Sequence, residues 1–467
     1  MHKTTAQQKA LKTLSWAVFI LFAMPKLSVR VGPVPIYIID IFLFVAYLQS
    51  WRLRKLTNSK FKVSGVIYFV SFLIIFSELY AAIILGTFLE PIYQSLRTFL
   101  ALSVFFSTSR IINSKNDIIK ISSSALFGAV ISASLLILTS VPFTRGLVTS
   151  TIFSITFLEP GFDEELLELS SSGTRGRSLI GVSILSGAFL NTVWPLILYL
   201  RGATHLKKYT LQIQLTAILI PIGVVMTYSR GAILGLLLVI LGIVFYNGGK
   251  SRGIIIGGVV TVLLIFSTVG WNSEVFYFER LTKSTARIFE EGEDTRSEAE
   301  RKYAYTEPFE HLVKNPLFLF FGEGLAKEKI GSNRLTAGRG MATHAVFAKA
   351  YYAYGMIVAL LYLFLLVYAF VVTLAYSNKK LNSATSFSRA LLASLLGLFP
   401  WYMLGHAAVS TPRGAIMLFF VFGLVSAQSN IHYSERYKAW FFKVKWPKIK
   451  AMRQRQIPKQ KELAEAS

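Results

Sequence analysis

Long uncharged apolar runs recur along the whole chain, and they decide what it can become. Runs of about 17–25 apolar residues are each long enough to cross a hydrocarbon layer of about 30 Å. In lipid the backbone of such a run must satisfy its own hydrogen bonds, so each crossing is read as a helix. About 12 such runs are present, at 12–29, 34–51, 63–86, 91–108, 118–141, 178–200, 210–228, 231–247, 253–271, 342–375, 387–407 and 412–429. Only 16% of the 467 residues are charged, against roughly a quarter in soluble domains. The expected fold is an all-α polytopic membrane protein. No internal repeat or coiled-coil heptad is visible.

The charge pattern orients these spans. The net charge of +25 is the kind of excess that marks nucleic-acid binders. Here the basic residues collect in alternate turns: WRLRKLTNSKFK after the second span, SRIINSKNDIIK after the fourth, LRGATHLKK after the sixth, NGGKSRG after the eighth and SNKK after the tenth. Lysine and arginine concentrate in cytoplasmic loops. The alternation therefore predicts cytoplasmic N- and C-termini and an even number of spans. The tail at 430–467 interleaves aromatic and basic residues, and reads as a segment lying on anionic lipid rather than as a nucleic-acid arm. The absence of cysteine removes disulfides, thiolate metal sites and cysteine nucleophiles. The short apolar N-terminal run lacks a small-residue cleavage site and reads as a retained helix.

Two connections on the predicted outer side are long, 141–177 and 271–340. Loops of that length in a compact domain are usually functional. The chain thus divides into an N-terminal bundle at 1–270, a large outer loop at 271–341, three C-terminal spans at 342–429 and the basic tail. The large loop is expected to be partly helical. Ser297 with Glu300 forms a capping-box pattern, and Pro308 should kink or break the helix it opens. KNPLFLFFGEGL then reads as a stop at Pro316, an apolar dip and a glycine turn at Gly322 and Gly324. The loop glycines Gly331, Gly338 and Gly340 lack the strand and the Lys-Ser/Thr of a nucleotide-binding loop.

Arginines gather on the same outer side, where the positive-inside bias should disfavour them: Arg175, Arg177, Arg230, Arg280, Arg287, Arg296, Arg301, Arg334, Arg339 and Arg413. Any one of them could be a side chain reaching for headgroups. As a set they suit phosphate, because the planar guanidinium holds phosphate oxygens bidentately. Arg230 sits in MTYSRGAILGLLLVILGIVF, at the corner between two lipid-like runs. His344 stands at the mouth of the tenth span, and an imidazole there has the proton affinity for a general base near neutral pH. The acidic runs at 163–168 and 290–294 read as solvated faces, and no HExxH or DxD-like metal pattern occurs. Asp40, Glu78, Arg97 and Lys349 are charges inside spans, where pairing or snorkelling is expected.

TYSRGAILGLLLVILG, the large loop with DTRSEAERKYAYTEPFEHLVKNPLFLFFGEGL, and THAVFAKAYYAYGMIVALLYLFLL follow one another in that order. In sequence and sidedness they resemble the O-antigen ligase and polymerase superfamily of bacterial surface polysaccharide assembly, over 212–365. TRGRSLIGVS before the sixth span is similar to that family's arginine-bearing approach to this helix. The resemblance implies a GT-C-like, metal-independent, inverting glycosyltransferase of the bacterial inner membrane. Its donor would be a glycan on undecaprenyl diphosphate, and its acceptor a hydroxyl on another lipid-linked glycan (polymerase) or on a lipid A core sugar (ligase). No cofactor and no nucleic acid are implied. By motif, Arg230 would grip the diphosphate with Arg296 as its partner and Arg177 as a further member, and His344 would activate the acceptor hydroxyl. The family often has His-Asn where this chain has His344-Ala345, and the reading leans to polymerase on that account. The competing class is a lipid-linked oligosaccharide flippase, which the unlike halves of the chain disfavour.

Overall fold

The computed structural model describes residues 5–31, 34–53, 63–86, 88–151, 178–180, 183–203, 210–227, 229–247, 308–324, 346–377, 382–404 and 412–440. At Arg230 and Lys349 the backbone alone is described. The ninth expected span, the Ser297–Glu300 capping box, most of the large loop and the end of the tail lie outside these residues.

The described chain is a helical membrane bundle. Its helices are α1 Thr5–Ala23, α2 Ile38–Trp51, α3 Ser64–Leu85, α4 Leu89–Ile111, α5 Lys115–Ser140, α6 Pro142–Thr151, α7 Ser183–Val193, α8 Leu196–Ala203, α9 Thr210–Met226, α10 Arg230–Asn247, α11 at 308–314, α12 Val346–Tyr354, α13 Met356–Ser377, α14 Asn382–Leu404 and α15 Pro412–Trp440. Among the described residues α3, α5, α13 and α15 are long and apolar enough to cross a membrane, and α2, α9, α10 and α14 carry shorter apolar stretches. The apolar part of α15 is wholly buried, whereas less than half of the apolar window of α3 or α13 is. Hence α15 is the central helix, and α3 and α13 turn a face outward to lipid.

Small residues set the packing. A Cβ on Gly128 of α5 would come within 2.5 Å of the Phe19 carbonyl oxygen of α1. The Ser132 hydroxyl, one turn further on, donates to the carbonyls of Phe22 (2.6 Å) and Ala23 (3.1 Å) at the end of α1. These carbonyls have no partner within their own helix. Gly223 brings α9 equally close to Ala133 of α5, Gly423 brings α15 onto Thr108 of α4, and Gly235 brings α10 onto Gly397 of α14. Without a hydrophobic drive between helices in lipid, such close backbone approach is what holds spans together. Gln212 of α9 adds a paired contact to Ser123 of α5, accepting from its hydroxyl at 2.8 Å and donating to its carbonyl at 2.6 Å.

Three expectations need correction, one of them the sixth span, which is not one helix over 178–200 but α7 and α8, parted at Trp194 and Pro195. The first span is not helical over 12–29. Helix α1 stops at Ala23, before Pro25, and the chain turns through an antiparallel pair, β1 Ser28–Val31 and β2 Val34–Tyr37, with Val31 opposite Val34. The alternating VRVGPVPIY suits a strand pair, so the second span begins at Ile38 rather than at 34, and among the described residues this hairpin is the one sheet in an otherwise helical fold. The tenth span is not continuous over 342–375. Gly355 takes φ +94° between α12 and α13, a conformation that glycine adopts without steric cost.

The re-entrant piece of the large loop follows the expected plan. Helix α11 ends before Pro316, which opens a 3₁₀ turn at Pro316–Leu319, and Gly324 turns the chain at φ +73°. The N–H groups of Glu323 and Gly324 donate to the carbonyls of Tyr352 (2.8 Å) and Ala353 (2.9 Å). These are the carbonyls that the break at Gly355 would leave bare.

Candidate functional site

The site begins at the turn into α10. The Thr227 hydroxyl donates to the Val224 carbonyl at 2.6 Å and accepts from the Ser229 N–H at 3.3 Å. Ser229 in turn accepts the Ala232 N–H on its side-chain oxygen at 3.3 Å and the Ile233 N–H on its carbonyl at 3.0 Å. Ser229 is therefore the N-cap of α10, and Arg230 is its first helical residue. The first N–H groups of a helix and the positive end of its dipole favour anions. A Cβ on Gly231 would meet nothing within 4 Å, so among the described residues this helix start is open on that side.

Helix α7 holds that start in place. A Cβ on Gly187 would lie 2.4 Å from the Ala232 Cβ, so the two helices touch there. Asn191 donates from Nδ2 to the Ala232 carbonyl at 2.7 Å. Residues 178–180 lead into α7. The Ser178 and Ser186 hydroxyls share a hydrogen bond of 3.0 Å, and the Ile180 N–H donates to Ser178 Oγ at 3.2 Å. The Ile180 carbonyl accepts from Arg413 Nη1 at 3.2 Å, and Arg413 lies in the first turn of α15. The segment that follows Arg177 is thus held by the starts of α7 and α15.

A buried charged layer lies at the same end. Arg97 of α4 and Asp40 of α2 form an ion pair at 3.5 Å. The Arg97 guanidinium lies 4.1 Å over the Tyr37 ring and 5.5 Å from that of Tyr93. Arg413 is near enough for its charge to act on Asp40. Glu78 of α3 is fully buried, seven residues before the end of its helix. Arg97 stands eight residues after the start of α4, so the two lie at about equal depth, roughly 10–12 Å below the loop joining their helices. Pairing, rather than snorkelling, is what the structure shows for Asp40 and Arg97. Replacing Arg97 by leucine should cost about 3–5 kcal/mol, because it strands a buried carboxylate. Unfolding in detergent should show the double variant Asp40→Leu, Arg97→Leu to be less impaired than Arg97→Leu alone.

Beside this layer sits the helix that follows His344. His311 of α11 hydrogen-bonds through Nδ1 to the Tyr351 hydroxyl of α12 (3.0 Å) and through Nε2 to Asn315 Nδ2 (3.1 Å). With the amide as donor to Nε2, Nδ1 carries the proton. Phe309 faces Phe347 across 6.1 Å between ring centroids, three residues after His344.

Residues 215–363 match the family model described as O-Antigen ligase. Over that segment the chain is similar to the O-antigen ligase family. No curated protein matches the chain. The ligase-family segment runs from α9 through α10 and the large loop to α13. It contains Arg230, Arg296 and His344, while Arg177 precedes it. Of these candidates the structure describes the backbone of Arg230; Arg177, Arg296 and His344 lie outside the described residues. Two contributors were missed in the sequence, Asn191 and the His311–Tyr351 pair. Asn191 carried a signal, as an amide in the apolar run GAFLNTVW. His311 carried little, because its partner is 40 residues away.

Proposed function

We propose that this chain is a membrane glycosyltransferase that moves a glycan from a polyprenyl diphosphate carrier, undecaprenyl diphosphate, to an acceptor hydroxyl at the outer face of the bacterial inner membrane. The reading rests on the ligase-family match, which spans the helix start at Arg230, the large loop and His344. The basic connections at the opposite end of the bundle support the assignment of the Arg230 end to the outside.

In the proposed reaction the acceptor oxygen attacks the anomeric carbon as the glycosyl–phosphate bond breaks. The bonding electrons leave with the diphosphate, and His344 takes the acceptor proton. Arg230, Arg296 and Arg177 hold the phosphate oxygens, where charge grows most in the transition state. Attack from the side opposite the leaving group inverts the anomeric centre, and no metal is required. The slight lean is to polymerase.

Removing the gene and separating the surface glycans on a gel tests this. Core capped with one repeat unit identifies a polymerase. Uncapped core, with full-length polymer retained on its lipid diphosphate, identifies a ligase. Lipid-linked glycan retained at the cytoplasmic face identifies a flippase instead, and an unchanged pattern rejects all three.

A further inference from the structure

Residues 308–320 present an apolar stripe that the described residues leave exposed, apart from the Phe347 ring stacked beside Phe309 at one end. Phe309 (53% exposed), Val313 (82%), Leu317 (69%) and Phe320 (46%) follow at spacings of four, four and three, the interval that puts residues on one helical face. The other side of this segment is engaged. Leu312, Phe318 and Phe321 pack on the core, and His311 is bound to Tyr351. The polar residues Glu310, Lys314 and Asn315 lie off the stripe and are exposed.

Depth and continuity say what covers the stripe. The segment runs directly into the re-entrant turn, where the Gly322 N–H donates to Ser77 Oγ at 3.3 Å. A Cβ on Gly324 would lie 3.0 Å from the Glu78 carboxylate. Ser77 stands eight residues before the end of α3, which places the turn about 12 Å below that end. Since α3 itself is long and apolar enough to span the membrane, that level falls within hydrocarbon. The Phe321 ring packs 4.5 Å from that of Phe76, on the α3 face whose Phe69, Phe72 and Ile83 are exposed. The stripe therefore continues the lipid-facing side of α3. The backbone is equipped for such a place, with Gly322, Glu323 and Gly324 all donating to protein acceptors, as a segment at membrane depth requires.

We infer that α11 and the 3₁₀ turn form a strap embedded in the leaflet at the Arg230 end, with Phe309, Val313, Leu317 and Phe320 among phospholipid acyl chains. The large loop is then anchored in lipid and not suspended in water above it. This holds whatever reaction the chain performs and whichever leaflet the Arg230 end faces.

The chain has no cysteine, so a single introduced thiol reports on one place. Val313→Cys, Leu317→Cys, Phe72→Cys and Glu310→Cys are each labelled with bimane in the full chain and reconstituted into phosphatidylcholine vesicles. Quenching by lipid bearing a nitroxide on its acyl chain is compared with quenching by aqueous iodide. At Val313 and Leu317 the nitroxide lipid should quench as strongly as at Phe72, and iodide should have little effect; Glu310 should show the reverse ordering. Iodide quenching at Val313 and Leu317 equal to that at Glu310 would put the stripe in water and overturn the inference. Resistance to both quenchers would overturn it too, by showing the stripe covered by protein, either another part of the chain or a second copy.

Discussion

Lysine at position 230 should lower glycan transfer by about 100-fold or more, the loss typical of removing one preorganised donor from a developing anion. Lysine keeps the charge but loses the fork that holds two phosphate oxygens at once. The measurement is kcat/KM of the reconstituted protein with a lipid-diphosphate donor. Full activity from Arg230→Lys would sink the diphosphate clamp. A second variant separates function from folding. A cation at the first position of a helix opposes the helix dipole, at a cost of about 0.3–1 kcal/mol. Arg230→Gln should therefore melt in detergent no lower than the parent, and slightly higher, while transferring no glycan. A cation at this corner runs against the preference of a helix start, as a residue that serves a ligand and not the fold would.

Gly322→Ala should be among the most damaging single substitutions in the chain. The new Cβ would lie 2.3 Å from the Ala353 carbonyl carbon and from the Tyr354 nitrogen, both backbone atoms that cannot swing aside. Relief requires the re-entrant turn to withdraw from α12, breaking the bonds from Glu323 and Gly324. Overpacking of this kind costs about 1–3 kcal/mol or more, and the melting temperature in detergent should fall by several degrees, with transfer lost as the loop undocks. Gly65→Ala is the matched control. It lies near the start of α3 with nothing within 4 Å of its new Cβ, and should leave both readings unchanged. Equal behaviour of the two variants would show that the turn is not seated as described.

The helices were legible because each apolar run must be nearly self-sufficient in hydrogen bonds; α3, α5, α10 and α14 lie close to the runs that foretell them. What escaped was set by partners distant in sequence. Residues 24–31 look like the tail of a span because Val29 and Val31 are apolar; only their pairing with β2 makes them a strand. The break at Gly355 is hidden in a long apolar run, because the groups that make it tolerable are the N–H donors of residues 323 and 324. Asp40 and Arg97 stood out as charges within spans, yet their union across 57 positions follows from how α2 packs on α4. At the site, Arg230 could be placed at a helix start from TYSRG alone, since serine before the first helical residue is a familiar cap. The clamping of 178–180 by Arg413 could not, because it depends on a carbonyl.

The junction at Gly355 also constrains how the chain is made. A helix that ends inside hydrocarbon with the Tyr352 and Ala353 carbonyls unpaired carries a penalty of several kcal/mol per group. Their donors, Glu323 and Gly324, precede them in synthesis and must be at hand when the break forms. The last steps of folding are thus coupled: α12 and α13 settle into a broken geometry only when the preceding turn at 322–324 folds back onto them. Docking of the turn then completes the bundle.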